Sequence, residues 1–101
     1  MVIFLYRWRI KNGFEDQFIK AWAEVTEFIL KNYDSLGSRL HRGENGIFYG
    51  YAQWKSVEQR ENAFSQMPEM EANRRMKEAI EESFPVEVLN PISDFLIFSE
   101  K

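Results

Sequence analysis

Tyr6 and Trp8 stand two residues apart in the run LYRWRI (residues 5–10). In an extended chain that spacing puts a phenol hydroxyl and an indole N–H on the same side of the backbone. Asn73, the one uncharged amide on an otherwise apolar helical stripe, and Trp54, which ends an aromatic strand, add an amide and a second indole. Such a set can hold and orient a small ligand through hydrogen bonds from an otherwise apolar wall. The competing reading is that these polar atoms only satisfy one another or the backbone, as most buried Tyr, Trp and Asn groups do. His41 is the only side chain with an ordinary pKa near neutrality and is the obvious general base. By parity it shares the strand face of Arg39, away from the expected helices, which suits a surface or dimer contact better than catalysis.

Much chemistry is excluded. There is no cysteine, hence no disulfide, thiol nucleophile or thiolate metal site, and a single histidine leaves no multi-histidine metal centre. No G-x-G-x-x-G or P-loop pattern occurs, so neither a nucleotide nor a flavin motif can be argued, and no metal site is expected. With 13 basic and 16 acidic residues the net charge is -3, without the basic stripe a nucleic-acid binder needs. The apolar run MVIFLY is six residues long and is followed at once by arginine. That is too short for a membrane span and lacks the leading charge of a signal peptide, so the cytoplasm is the expected compartment.

The elements that must position these residues can be read from periodicity. Residues 1–101 are expected to form one domain. Val2, Phe4, Tyr6, Trp8 and Ile10 alternate with Ile3, Leu5, Arg7 and Arg9, which predicts a strand. After a turn at Lys11-Asn12-Gly13, Phe14, Phe18, Ala21, Trp22, Val25, Phe28 and Ile29 fall on one helical stripe, with a break expected from Asn32 to Ser35. A second strand is predicted over 36–42 and a third over 47–54, joined at Asn45-Gly46, where both residues tolerate positive φ. The third strand is apolar on both sides, which predicts a central position covered twice. Ser56-Val57-Glu58-Gln59 has the form of a capping box opening a helix whose inner stripe is Val57, Arg60, Ala63, Phe64 and Met67 as far as Pro68. A further helical piece is expected from Glu69 to about Ser83, burying Met70, Met76, Ile80 and Phe84. Two short extended segments follow, separated by Pro91, the second over Ser93–Ser99.

This order predicts an α+β fold: a ferredoxin-like βαββαβ antiparallel sheet with its helices on one face and an extra C-terminal strand. The helices should cover the side bearing Phe4, Tyr6, Trp8 and Ile10. The other side would then show Ile3, Leu5, Arg7, Arg9, Arg39 and His41, a larger patch than soluble monomers usually expose. A homodimer through the open sheet face is therefore expected, its arginines meeting carboxylates such as Glu87 or Asp94.

The stretches YRWRIKNGFEDQFIKAWAEVTE and LGSRLHRGENGIFYGYAQWKSVEQRENA resemble the antibiotic biosynthesis monooxygenase domain family of the dimeric α+β barrel superfamily. The resemblance spans about residues 2 to 82. It rests most on the strand-Gly-helix entry at Lys11 to Phe14 and on Ala52-Gln53-Trp54-Lys55-Ser56. It implies a sheet that dimerises through its open face, with a cavity between sheet and helices. Tyr6 and Asn73 are then the expected catalytic groups, and Trp8, Trp54 and Trp22 the expected substrate-binding ones. The activity implied is that of a cofactor-independent monooxygenase acting on a small aromatic, phenolic or polyketide-like molecule, with electrons drawn from the substrate. The family's haem-degrading branch has an Asn on strand one and a Trp and a His on the second helix. Those places hold Tyr6, Ala63 and Asn73 here, so haem degradation is not expected.

Two alternatives compete with catalysis. One is a dimeric small-molecule-binding or stress-response protein of the same fold. The other is a core filled by its own rings, given sixteen Phe, Tyr and Trp side chains. Cavity volume separates them, since a ligand site needs roughly 300 Å³ or more.

Overall fold

A computed structural model describes residues 1–97. The elements run β1 (Val2–Ile10), α1 (Glu15–Tyr33), β2 (Ser38–Arg42), β3 (Ile47–Trp54), α2 (Val57–Gln66), α3 (Glu71–Ala79), β4 (Ile80–Ser83) and β5 (Glu87–Leu89). The strands form one antiparallel sheet in the order β2-β3-β1-β4, with β5 also on β1. This is the ferredoxin-like arrangement expected from the order of elements.

The side of the sheet bearing the even-numbered residues of β1 and β3 is the covered one. Trp8, Ile10 and Phe48 pack with Phe18 of α1 and Ala79 of α3. Val2, Phe4, Ala52 and Trp54 pack with Ala63 of α2. Phe48, Gly50, Ala52 and Trp54 of β3 thus face the helices, while Tyr49 and Tyr51 face outward. Helix α1 follows its apolar stripe, with Phe18, Ala21 and Val25 buried, and runs through Asn32 and Tyr33 before Asp34 ends it at φ 55. The expected break at Asn32 is therefore overrun: its Nδ2 donates to the Phe28 carbonyl within the helix at 2.8 Å. Helix α2 begins as the capping pattern requires, the Gln59 N–H donating to Ser56 Oγ at 3.0 Å. Gln59 Oε1 accepts instead from the Lys55 N–H, one residue before the cap, at 2.9 Å. The β2–β3 turn has positive φ at both Asn45 (59°) and Gly46 (74°). The strand expected over 36–42 is regular only from Ser38, although Leu36 N–H still donates to the Gln53 carbonyl at 2.9 Å.

The helix expected as far as Ser83 ends at Ala79. Ile80–Ser83 is a strand because the backbone of β1 at Trp8–Ile10 needs partners on that edge, and Ile80 pairs with Ile10 and Ser83 with Trp8. Local helix propensity in IEES yields to that demand. Along α3 the fully buried residues are Ala72 and Ala79, whereas Met70, Met76 and Ile80 are half-buried. Phe84 leaves the helix side, lying under the Arg7 guanidinium at 5.5 Å. β5 continues the same edge, with Leu89 opposite Ile3 and Glu87 opposite Leu5. The interruption falls at Pro85, which has no N–H to give the ladder.

β3 lies inside the sheet as expected, but within this chain it has helices on one side only. On the other side Tyr49 and Tyr51 are half-buried and Ile3 is buried. Arg7 and Arg9 find Glu87 and Glu82 within the same chain, at 3.5 and 3.7 Å, so these arginines do not wait for a second copy's carboxylates. Asp94 instead accepts the Leu96 N–H. Of the expected strand Ser93–Ser99, residues 93–97 have no regular structure and pair with no strand, and residues 98 and 99 lie outside the described residues. No helix among the described residues is long and apolar enough to cross a membrane.

Candidate active site

Sheet and helices do not close completely on one another. Between them lies a cavity of about 290 Å³, lined from β1 by Tyr6 and Trp8, from α1 by Trp22, from β3 by Trp54, and from α3 by Asn73. All five residues singled out in the sequence line this one cavity. Its size matches the lower end of small-molecule sites and argues against a core filled by its own rings.

The wall begins with the period of two in β1. Tyr6 and Trp8 point to the same side, and their rings stack at 5.5 Å with planes 6° apart. Trp8 is held from behind by the edge of Phe18 at 5.2 Å, and Phe18 by Phe48 at 5.6 Å. Opposite Tyr6 in the register is Gly50, whose missing side chain leaves room for the Trp8 ring. At the far end Trp54 meets Phe64 edge-on at 6.1 Å. The walls are thus aromatic and interlocked, a rigid frame for a flat ligand.

Two polar groups define the site's chemistry. Asn73 sits in the first turn of α3, where its Oδ1 accepts the Met70 N–H at 3.0 Å. That bond fixes the amide, and among the described residues its Nδ2 has no protein partner, which leaves donors for a ligand. The second group is the Tyr6 hydroxyl, which accepts two hydrogen bonds from Arg60, from Nε at 3.0 Å and from Nη2 at 2.7 Å. Burial pushes the Tyr6 phenol above its ordinary value, while the Arg60 charge and hydrogen bonds pull part of the way back.

Arg60 is the residue the sequence reading passed over, placing it on the inner stripe of α2 without a role. The available signal was a lone arginine at helical spacing among apolar residues, facing a strand with one buried hydroxyl. His41 lies where parity puts it, exposed on the outer side opposite Tyr49 and remote from the cavity. There it borders a second space of about 650 Å³, between Arg39, Tyr51 and Gln53 of the open face and Asp94, Leu96 and Ile97 of the C-terminal segment. Among the described residues no three His, Cys, Asp or Glu side chains are placed to hold a metal ion.

No family model matches the sequence, and no curated protein does. Solved structures do. A proposed antibiotic biosynthesis monooxygenase from Bordetella bronchiseptica is similar over 91% of this chain and 97% of its own, with 17% identity and a TM-score of 0.78. SnoaB, a cofactor-independent oxygenase from Streptomyces nogalater, is similar over 93% of this chain and 95% of its own, with 14% identity and a TM-score of 0.79. A proposed antibiotic biosynthesis monooxygenase from Chloroflexus aurantiacus is similar over 96% of this chain and 98% of its own, with 14% identity and a TM-score of 0.75. At such identities the likeness establishes architecture: the chain has the α+β fold of the antibiotic biosynthesis monooxygenase structures.

Proposed function

We propose that this protein is a cofactor-independent monooxygenase of a small aromatic, phenolic or polyketide-like substrate. The observation that carries the reading is the aromatic cavity between sheet and helices, into which Tyr6 and Asn73 bring hydrogen-bond donors. The fold shared with SnoaB, a cofactor-independent oxygenase, supports it. Dioxygen is the oxidant and the substrate supplies the electrons. A ring methylene activated by a phenolate loses two hydrogens and gains one oxygen atom as a carbonyl, and the second oxygen atom leaves as water. Tyr6 donates to the substrate oxygen on which negative charge builds, Asn73 fixes the ring's other polar end, and Trp8, Trp22 and Trp54 exclude water. Oxygen uptake with anthrone as the probe tests this. Tyr6→Phe is expected to keep the wild-type circular dichroism and lower uptake about a hundredfold, in the range seen when one oxyanion donor is removed. Unchanged uptake removes Tyr6 from the mechanism.

A second reading, a binding protein of the same fold that does no chemistry, draws on the lining itself. No histidine borders the cavity, and its titratable lining residues are Tyr6, Tyr51 and Glu69. Anthrone that binds without oxygen uptake selects this reading.

The working unit on either reading is a homodimer through the open sheet face. Ile92, Phe95, Leu96 and Ile97 are 80–97% exposed, an apolar segment arching past Arg39 and Tyr51 with open space beneath it. A second copy's sheet in that space buries this segment and the outer sides of Leu5, Tyr49 and Tyr51 together, with the C-terminal segment crossing to the partner.

A further inference from the structure

Arg60 is unusual in what surrounds it. Its guanidinium carbon lies 4.3 Å from the ring centroid of Phe4 and 4.4 Å from that of Phe64. Its Nε and Nη2 both donate to Tyr6 Oη. Among the described residues it has no carboxylate partner, whereas Arg7, Arg9, Arg74 and Arg75 all do. Aromatic faces stabilise a guanidinium without cancelling its charge. The half-buried Arg60 therefore keeps a full positive charge beside the Tyr6 end of the cavity, and a guanidinium cannot shed that charge by deprotonation.

The two hydrogen bonds also settle what Tyr6 can do. They occupy the acceptor side of its oxygen, so the hydroxyl proton is all it has left to offer a ligand. A donor so constrained leaves a ligand's own O–H or N–H without an acceptor there, and it favours an oxygen that carries negative charge.

We propose that Arg60 is a positioning residue that turns Tyr6 into a one-way hydrogen-bond donor, and that together they select ring ligands in which the oxygen at this end is a phenolate or enolate. The inference deepens the aromatic-substrate reading and rests on it. It names the ionisation state that the site takes up and the residue responsible. Because the charge acts through Tyr6, changing Arg60 alters which form of the ligand binds more than whether a ring binds.

Wild-type protein titrated with 4-nitrophenol across pH reads this directly, since the phenolate is coloured and the phenol is not. Bound 4-nitrophenol is expected to ionise about one pH unit below its free value, equivalent to about tenfold tighter binding of the phenolate. Arg60→Met keeps an apolar stem of similar length and is expected to bind the probe with that shift abolished. Arg60→Lys, which keeps charge without the fork, is expected to retain only part of it. Should Arg60→Met fail to fold by circular dichroism, Tyr6→Phe carries the same test and is expected to lose the shift. Probe bound to the wild type at its free pKa, or a full shift in Arg60→Met or Tyr6→Phe, overturns the proposal and leaves the aromatic-ligand reading standing. Failure of the wild type to bind the probe at all, seen as unquenched tryptophan fluorescence, overturns both.

Discussion

The ring of Trp8 lies so close over Gly50 that a Cβ at position 50 would sit 2.8 Å from Trp8 Cη2 and 3.0 Å from Cζ3. The neighbouring strand gives up a side chain so that the indole, itself stacked on Tyr6, can form the cavity wall.

Gly50→Ala therefore forces Trp8 out of place. Overpacking of this kind costs about 1–3 kcal/mol. Chemical denaturation is expected to show a loss in that range, accompanied by weaker binding of phenols. A variant as stable as the wild type with unchanged phenol binding contradicts the placement of Trp8.

The Tyr6 phenol sets an alkaline limit. Burial raises its folded pKa above the ordinary 10.0, so the neutral form is the one the fold favours. Its contribution is intact below pH 10.0, where the phenol is neutral in folded and unfolded chains alike. It is lost as pH rises towards the folded pKa, because only the unfolded chain ionises freely in that window. Stability curves of the wild type and Tyr6→Phe are expected to be parallel below pH 10 and to diverge above it, the wild type falling faster. Curves that stay parallel above pH 10 contradict the burial of the hydroxyl.

Leu5 pairs with Tyr51 on the outer side of the sheet and is half-buried within its own chain. Leu5→Asp places a charge at the middle of the proposed dimer contact. Size-exclusion chromatography is expected to show the apparent mass halved, or an unfolded chain. A well-folded dimer contradicts the use of this face.

The parts of the fold legible in the sequence are those whose periodicity is strict over many residues. VIFLYRWRI carries its rings Phe4, Tyr6 and Trp8 at every second position and its arginines between them, and the stripe from Phe14 to Ile29 holds helical spacing throughout, so both elements and their inward sides could be read directly. Ile80–Ser83 could not, because its two glutamates suit a helix and the strand edge it completes lies at the other end of the chain. Both sides of IFYGYAQW are apolar, so its periodicity does not tell which one faces the helices. Gly50 and Ala52 held the clue, since small residues there make room for the tryptophan of the adjacent strand. The five cavity residues were legible because each carries a polar atom on an apolar stripe. Arg60 has the same property, but its meaning depends on Tyr6, 54 residues away in sequence and reached only when α2 packs on β1.

On the proposed function, the space between sheet and helices receives a phenolic ring with its oxygen at Tyr6. A crystal structure of the protein soaked with 1-naphthol measures this most directly. Ring density is expected between Trp8, Trp22 and Trp54, with the naphthol oxygen within hydrogen-bonding distance of Tyr6 Oη. A cavity without ligand density at saturating naphthol, or a ring bound with its oxygen turned away from Tyr6, contradicts it.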